Sequence, residues 1–161
     1  TRTLPVNGKF TPAQKIIYNI VLEAQLAGIK ACVPGNDFRD PHQAAMDVIE
    51  KRLLEHGIIK EKKDALKYFF HGTSHYLVLD VHDPGLFGQL APGQVITVEP
   101  GVYISAGSDC DPKWWNIGVR IEDDILITAG APENLSGAVP KTAEDIETLM
   151  KKESILNHMK Y

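Results

Sequence analysis

Residues 71–83 read HGTSHYLVLDVHD, and the fold is decided by how this stretch is placed. Three imidazoles and two carboxylates fall within it, interrupted by the apolar run Leu77 to Leu79, a composition that predicts a buried strand beside a group of proton-active side chains. Working outward toward the C-terminus, two more acidic residues stand at the edges of apolar runs, Glu99 in VITVEPG and Glu122 in GVRIEDDILIT. Carboxylates are normally avoided in such places unless something compensates them. Together these residues point to metal ligation.

The chain around this stretch divides into two kinds of sequence. Ahead of it, Thr11 predicts a helix N-cap with Pro12 at the first helical position, and Ile16, Ile17, Ile20, Val21, Ala24 and Leu26 form an apolar stripe ending at Gly28. A second helix is predicted from Asp40-Pro41 to Gly57, with Ala44, Ala45, Val48, Ile49, Leu53 and Leu54 at helical spacing. After a charged connector at 60–67, β-branched residues, Gly and Pro take over. Strands are expected at about 75–81, 94–99, 101–104 and 118–127, with turns at Pro84-Gly85 and Pro92-Gly93 and a polar excursion from Ser105 to Asn116. Thr142 to Asp145 starts a last helix carrying Ile146, Leu149, Met150 and Ile155. Helices first and antiparallel-type strands afterwards describe an α+β domain, with helices on one face of a curved sheet.

Composition narrows the function classes. At 161 residues, 43% of them apolar and 24% charged, the chain is of single-domain size and ordinary globular character. A net charge of −4 without charged blocks argues against nucleic acid or anionic lipid as the main partner. No apolar run is long enough to span a bilayer. Cys32 and Cys110 are too few and too far apart for a disulfide framework or a thiolate metal site, which suggests a reducing, cytoplasmic setting. The opening residues TRTLPVNGKF carry no initiator Met and no leader pattern, and read as the interior of a longer protein.

The candidate chemistry rests on few residues. A regular strand at 118–127 would put Arg120, Glu122 and Asp124 on one face, with the guanidinium keeping the Glu122 carboxylate ionised for a hard cation. An ordinary Arg–Glu pair on a solvated sheet is the bland alternative. The run Ile125-Leu126-Ile127 predicts a strand covered on both faces. Glu99 sits at a strand end, cut off by Pro100-Gly101. His71, His75 and His82 each offer a ligand, a proton or a hydrogen bond, and spacing alone does not divide these roles. His75 and His82 reach one cleft only if the strand ends or bulges between them. Asp80 and Asp83 are candidates to orient those rings. Tyr103 is open between a hydrogen-bonding role and core packing, and His42, His56 and His158 are given no role. An oxygen-rich set with one imidazole suits manganese, cobalt or another hard to borderline divalent ion, which would activate water for hydrolysis.

HGTSHYLVLDVHD, VITVEPGVYI and GVRIEDDILIT, in this order and spacing, resemble the metal-dependent aminopeptidase P and prolidase family with its pita-bread fold. TRTLPVNGKFT and the helix after PENLS extend the likeness over nearly the whole chain, and SHYL with LDVHD and the long excursion before GVRIEDD look more like Xaa-Pro aminopeptidase than prolidase. The resemblance implies that His75, Glu99 and Glu122 are metal ligands, that Glu99 also shuttles a proton from the attacking water, and that His71 and His82 contact substrate or the tetrahedral intermediate. Arg120 would support Glu122. It further implies a dinuclear site, usually two Mn2+ with Co2+ or Zn2+ as alternatives, and a peptide substrate with proline at the second position.

Two departures matter. Val78 stands where the family commonly has Gly, which is expected to tighten packing beside the cleft. Two Asp ligands of the family precede the position of Thr1, so residues 1–161 are expected to be the carboxy-terminal part of a catalytic domain, holding an incomplete site and inactive alone. Surface left open by a missing segment would favour self-association into a homo-oligomer. Prolidase action on Xaa-Pro dipeptides, a metal-free peptide-binding module of the same fold, and a mononuclear hydrolase complete in this chain are the competing readings.

Overall fold

The computed structural model describes residues 1–85 and 87–153. Two long helices come first, α1 at Pro12–Lys30 and α2 at Asp40–Glu55. Thr11 caps α1 through a reciprocal pair, its hydroxyl accepting from the Gln14 amide while Gln14 Oε1 accepts from the Thr11 amide. The stripe of Ile17, Ile20, Val21 and Ala24 is buried as predicted. Gly28 does not stop α1. It is the point of closest packing, where a Cβ would lie 2.9 Å from Val98 Cγ1 and 3.1 Å from the Pro41 carbonyl. α2 ends before Gly57, whose φ of +66° is a conformation that favours glycine.

The charged connector folds as a 3-10 turn at Lys62–Lys67. The strands then follow: β1 Val95–Val98, β2 Gly101–Ile104, β3 Ile117–Arg120, β4 Asp123–Leu126 and β5 Glu133–Asn134. β1 pairs with β4 and β4 with β5, and separately β2 pairs with β3, all antiparallel. The two sheets share one register. Val98 faces Asp123 and Gly101 faces Arg120, so β1–β2 and β3–β4 are the two arms of a single bent ribbon. One strand was expected over 118–127. It breaks at Ile121-Glu122 because Pro100 bends the opposite arm there, yet inside-outside alternation continues through the break, with Val119, Ile121, Asp123, Ile125 and Ile127 all buried. Leu126 is only half-buried, so this arm has one covered face and not two.

The core lies in two parts. α1 and α2 pack with β2 and β3 around Tyr18, Ile49, Phe69 and Ile121, while Cys32, Ile96, Val98, Ile125 and Ile127 fill the space behind β1 and β4. Burial pushes the Cys32 thiol up to about 12, so it is an inert core group. The last helix, α3, spans Ala143–Leu149 with Thr142 as its cap, and Ile155 and His158 lie outside the described residues.

The expected strand at 75–81 is shorter than predicted. Residues 73–77 run antiparallel beside β1, with the Glu99 amide donating to the Thr73 carbonyl at 2.8 Å and the Thr97 amide to the His75 carbonyl at 3.0 Å. The chain then turns back, and Tyr76 bridges Asp83. Val78 and Leu79 are 76% and 94% exposed, so the apolar run is the tip of a turn and Val78 tightens no packing.

Candidate metal centre

The shared register sets Glu99 opposite Glu122 at the bend of the ribbon. Neither residue's amide bonds across the ribbon. Glu99 is held by the Thr73 carbonyl on one flank, and Glu122 donates at 3.1 Å to the Thr1 carbonyl on the other. Residues 73–77 and 1–3 therefore act as outer strands, and the first of them delivers His75 to the same place. One ligand atom from each of His75, Glu99 and Glu122 lies within 4.8 Å of the others. Like charges directly opposite one another destabilise an antiparallel pair, and a nearby cation, Arg120 or a bound metal ion, offsets that repulsion.

The hydrogen bonds define which atoms are free to ligate. His75 Nδ1 lies 3.0 Å from the Tyr76 carbonyl, which can only accept, so Nδ1 carries the proton and Nε2 presents a lone pair. That lone pair faces Glu99 Oε1 at 3.1 Å. Two acceptors so placed repel unless a proton or a metal ion sits between them, and His75 with two carboxylates is a donor set that fits a divalent ion.

Arg120 stands beside both carboxylates. Its Nε lies 3.7 Å from Glu99 Oε2, and its Nη2 donates at 3.1 Å to the Thr1 hydroxyl, which in turn donates to Glu122. Burial pushes the Glu122 carboxyl up, while the hydrogen bond from the Thr1 hydroxyl and the Arg120 charge pull it down.

His71 and His82 flank the centre from two sides. His71 Nδ1 lies 2.7 Å from the Gly72 carbonyl, which leaves Nε2 to accept from the Tyr103 hydroxyl at 2.9 Å. Tyr103 is thus a hydrogen-bonding residue, and burial, partly opposed by Arg120, raises its pKa. His82 comes to within 4.6 Å of the His75 ring, edge to face, because the chain turns back after Leu77. Asp80 and Asp83 do not orient these rings. They accept from the Val81 and Leu79 amides of their own turn, at 2.6 and 2.7 Å.

Two features escaped sequence reasoning. Asp123, 1% exposed, accepts from Arg2 (2.6 Å), Gln25 (2.9 Å), Asn134 (2.7 Å), Ser136 (3.1 Å) and Lys141 (2.7 Å). Its position on the core-facing parity with Ile121 and Ile125 is the signal that could have found it. His42, on α2, lies 2.8 Å from the Thr73 hydroxyl, a contact between distant segments for which the sequence carries no local sign.

Comparison with known proteins identifies the family. The pattern of metallopeptidase family M24 matches residues 1–129. The chain is 44% identical to the Xaa-Pro aminopeptidases of Haemophilus influenzae and Escherichia coli, over 93% of its length and 38% and 37% of theirs. It thus spans well under half of the curated relatives it matches. Among solved structures, aminopeptidase PepP of Pseudomonas aeruginosa superposes with a TM-score of 0.89 at 39% identity, covering 92% of this chain and 37% of that one. E. coli aminopeptidase P with the inhibitor Pro-Leu gives 0.87 at 42% identity, with the same 92% and 37% coverage. The bent ribbon with its helices is accordingly part of the pita-bread fold, and the chain belongs to metallopeptidase family M24.

Proposed function

We propose that this chain supplies three ligands and the substrate-side histidines of a metal-dependent Xaa-Pro aminopeptidase, which cleaves between an N-terminal residue and a following proline. The observation that carries this reading is the convergence of His75 Nε2, Glu99 and Glu122 at the bend of the ribbon, in a chain similar over 93% of its length to Xaa-Pro aminopeptidases. An ion held by these residues, with Mn2+ the proposed metal and Co2+ or Zn2+ the alternatives, supplies activation of water for hydrolysis when bound. The reading includes a second ion and two further Asp ligands from a preceding segment, with residues 1–161 as the carboxy-terminal part of the catalytic domain. A cytoplasmic setting is part of the same proposal; among the described residues no helix is long and apolar enough to cross a membrane.

Each side chain then has a task its contacts favour. Glu99 Oε1, facing His75, takes a proton from the attacking water and passes it to the leaving amine, while Arg120 beside Oε2 steadies the carboxylate. His71, oriented by Tyr103, and His82, beside His75, face the substrate and hold its carbonyl oxygens.

The test uses the full-length protein with MnCl2 and three peptides: a tripeptide with proline second, the same tripeptide with alanine second, and an Xaa-Pro dipeptide. Preference for the proline tripeptide, abolished by a chelator and restored by Mn2+, is the expected result. Preference for the dipeptide would make the enzyme a prolidase. Residues 1–161 alone are expected to turn over none of the three, because the dinuclear site lacks two carboxylates.

A further inference from the structure

The segment from Phe69 to His75 carries both His71 and His75, and it crosses the open side of the fold without belonging to any sheet until residue 73. At its start Phe69 is fixed, fully buried with its amide on the Ala65 carbonyl. Near its end the Thr97 hydroxyl accepts from the His75 amide at 3.1 Å. Between these anchors the buried side chain is Thr73, 1% exposed, and its hydroxyl lies 2.8 Å from His42 Nδ1. His42 stands in the first turn of α2, half-buried, with its ring 5.1 Å from Phe69, which in turn meets the His71 ring edge-on at 5.1 Å.

Thr73 is bound from both ends. Its side chain is tied to α2, and its carbonyl accepts the Glu99 amide at 2.8 Å. A single residue therefore links a rigid helix to the backbone of one carboxylate, and it lies two positions from each of the two histidines. We propose that His42 is a positioning residue: through Thr73 it sets where His75 and Glu99 present their ligand atoms and where His71 meets substrate. Its hydrogen bond is to Thr73, not to a ligand residue. Its effect is transmitted as outer-shell contacts to metal-site residues are, by fixing the position of a donor that is otherwise free to move.

This inference rests on the metallopeptidase reading, and its test is arranged so that the two can fail separately. In the full-length protein, Mn2+ affinity is measured by calorimetry and kcat and KM on the proline tripeptide, for wild type, His42→Ala, His42→Asn, Thr73→Val and the His42→Ala/Thr73→Val pair. Asn carries a side-chain nitrogen near the place of Nδ1, so it reports rescue of the hydrogen bond where Ala removes it. The expected result is a loss of Mn2+ affinity of about tenfold in His42→Ala and in Thr73→Val. The double variant is expected to be no weaker than the worse single one, because both remove the same bond. His42→Asn is expected to stay within about threefold of wild type, with kcat following affinity across the set. Affinity within twofold of wild type in His42→Ala, losses that multiply in the double variant, or an Asn variant as weak as Ala would each overturn the proposal. If wild type binds Mn2+ but cleaves no proline peptide, the hydrolase reading fails, while the affinities still decide the role of His42.

Discussion

Glu122 and Asp123 are neighbours in sequence, yet they belong to opposite kinds of site. Asp123 points inward, and five donors satisfy its two oxygens with two cations among them. Glu122 points to the half-exposed side, toward Glu99 and His75, where acceptors outnumber donors. A carboxylate that already has all its partners stabilises a fold, and two that converge with an imidazole make a group that can hold a cation. Alternation along one strand is enough to separate the two roles by a single residue.

The largest expected effect tests the satisfied side of this contrast. Asp123→Asn removes the charge that Arg2 and Lys141 share, leaving two poorly solvated cations unpaired, and should cost about 3–5 kcal/mol in denaturant unfolding. A cost below about 1 kcal/mol would show that the network is replaceable and break the comparison. The same carboxyl predicts the acid limb of stability. Burial alone would raise its pKa, but Lys141, Asn134, Gln25 and Arg2 hold it well below the carboxylate range. A depressed folded-state pKa gives stability that is complete above the unfolded value, about 3.9, and that is lost as pH falls through and below it. Wild type should therefore lose stability steeply below about pH 4, and Asp123→Asn should show a flatter acid limb.

Glu122→Gln tests the other side. Metal affinity should fall more than about 100-fold, beyond the usual range for outer-shell changes and equivalent to about 2.7 kcal/mol. Stability without metal should change by less than about 1 kcal/mol, since the Glu122 carboxylate is part-exposed and its side-chain hydrogen bond is with the Thr1 hydroxyl. Large stability effects at both positions would mean that Glu122 is also structural.

Much of this was legible in the sequence, and what was not has physical causes. The α1 N-cap, the buried stripes of α1 and α2 and the end of α2 depend on local contacts, and Thr11, Pro12 and Gly57 mark them, although α1 runs past Gly28 and Leu26 of its predicted stripe is half exposed. Glu99 was legible because Pro100 ends its strand. The break at Glu122 was not, because its cause lies on the opposite arm. Leu77 to Leu79 misled in the other direction: apolar content predicts burial, but the turn back to Asp83 leaves Val78 and Leu79 in solvent. His75 and His82 meet by means of that same turn, as their odd spacing requires.

The smallest predicted effect falls on the seam between the two sites. Val98 precedes Glu99 on β1 and faces Asp123 across the ribbon, and its Cγ1 would be the first atom met by a Cβ at position 28. In Gly28→Ala the helix gains an intrinsically better residue, worth roughly 1 kcal/mol, but the 3.1 Å approach to the Pro41 carbonyl is to backbone and cannot be relieved by a rotamer change. The overpacking cost of about 1–3 kcal/mol should therefore equal or exceed that gain, for a net loss of up to about 2 kcal/mol. Because Asp123 is held by five bonds and Glu99 by few, the displaced Val98 should shift Glu99 more than Asp123. The variant should then lose metal affinity while retaining the acid limb of wild type. An unchanged affinity together with a flattened acid limb would reverse that order and show the satisfied carboxylate to be the softer of the two.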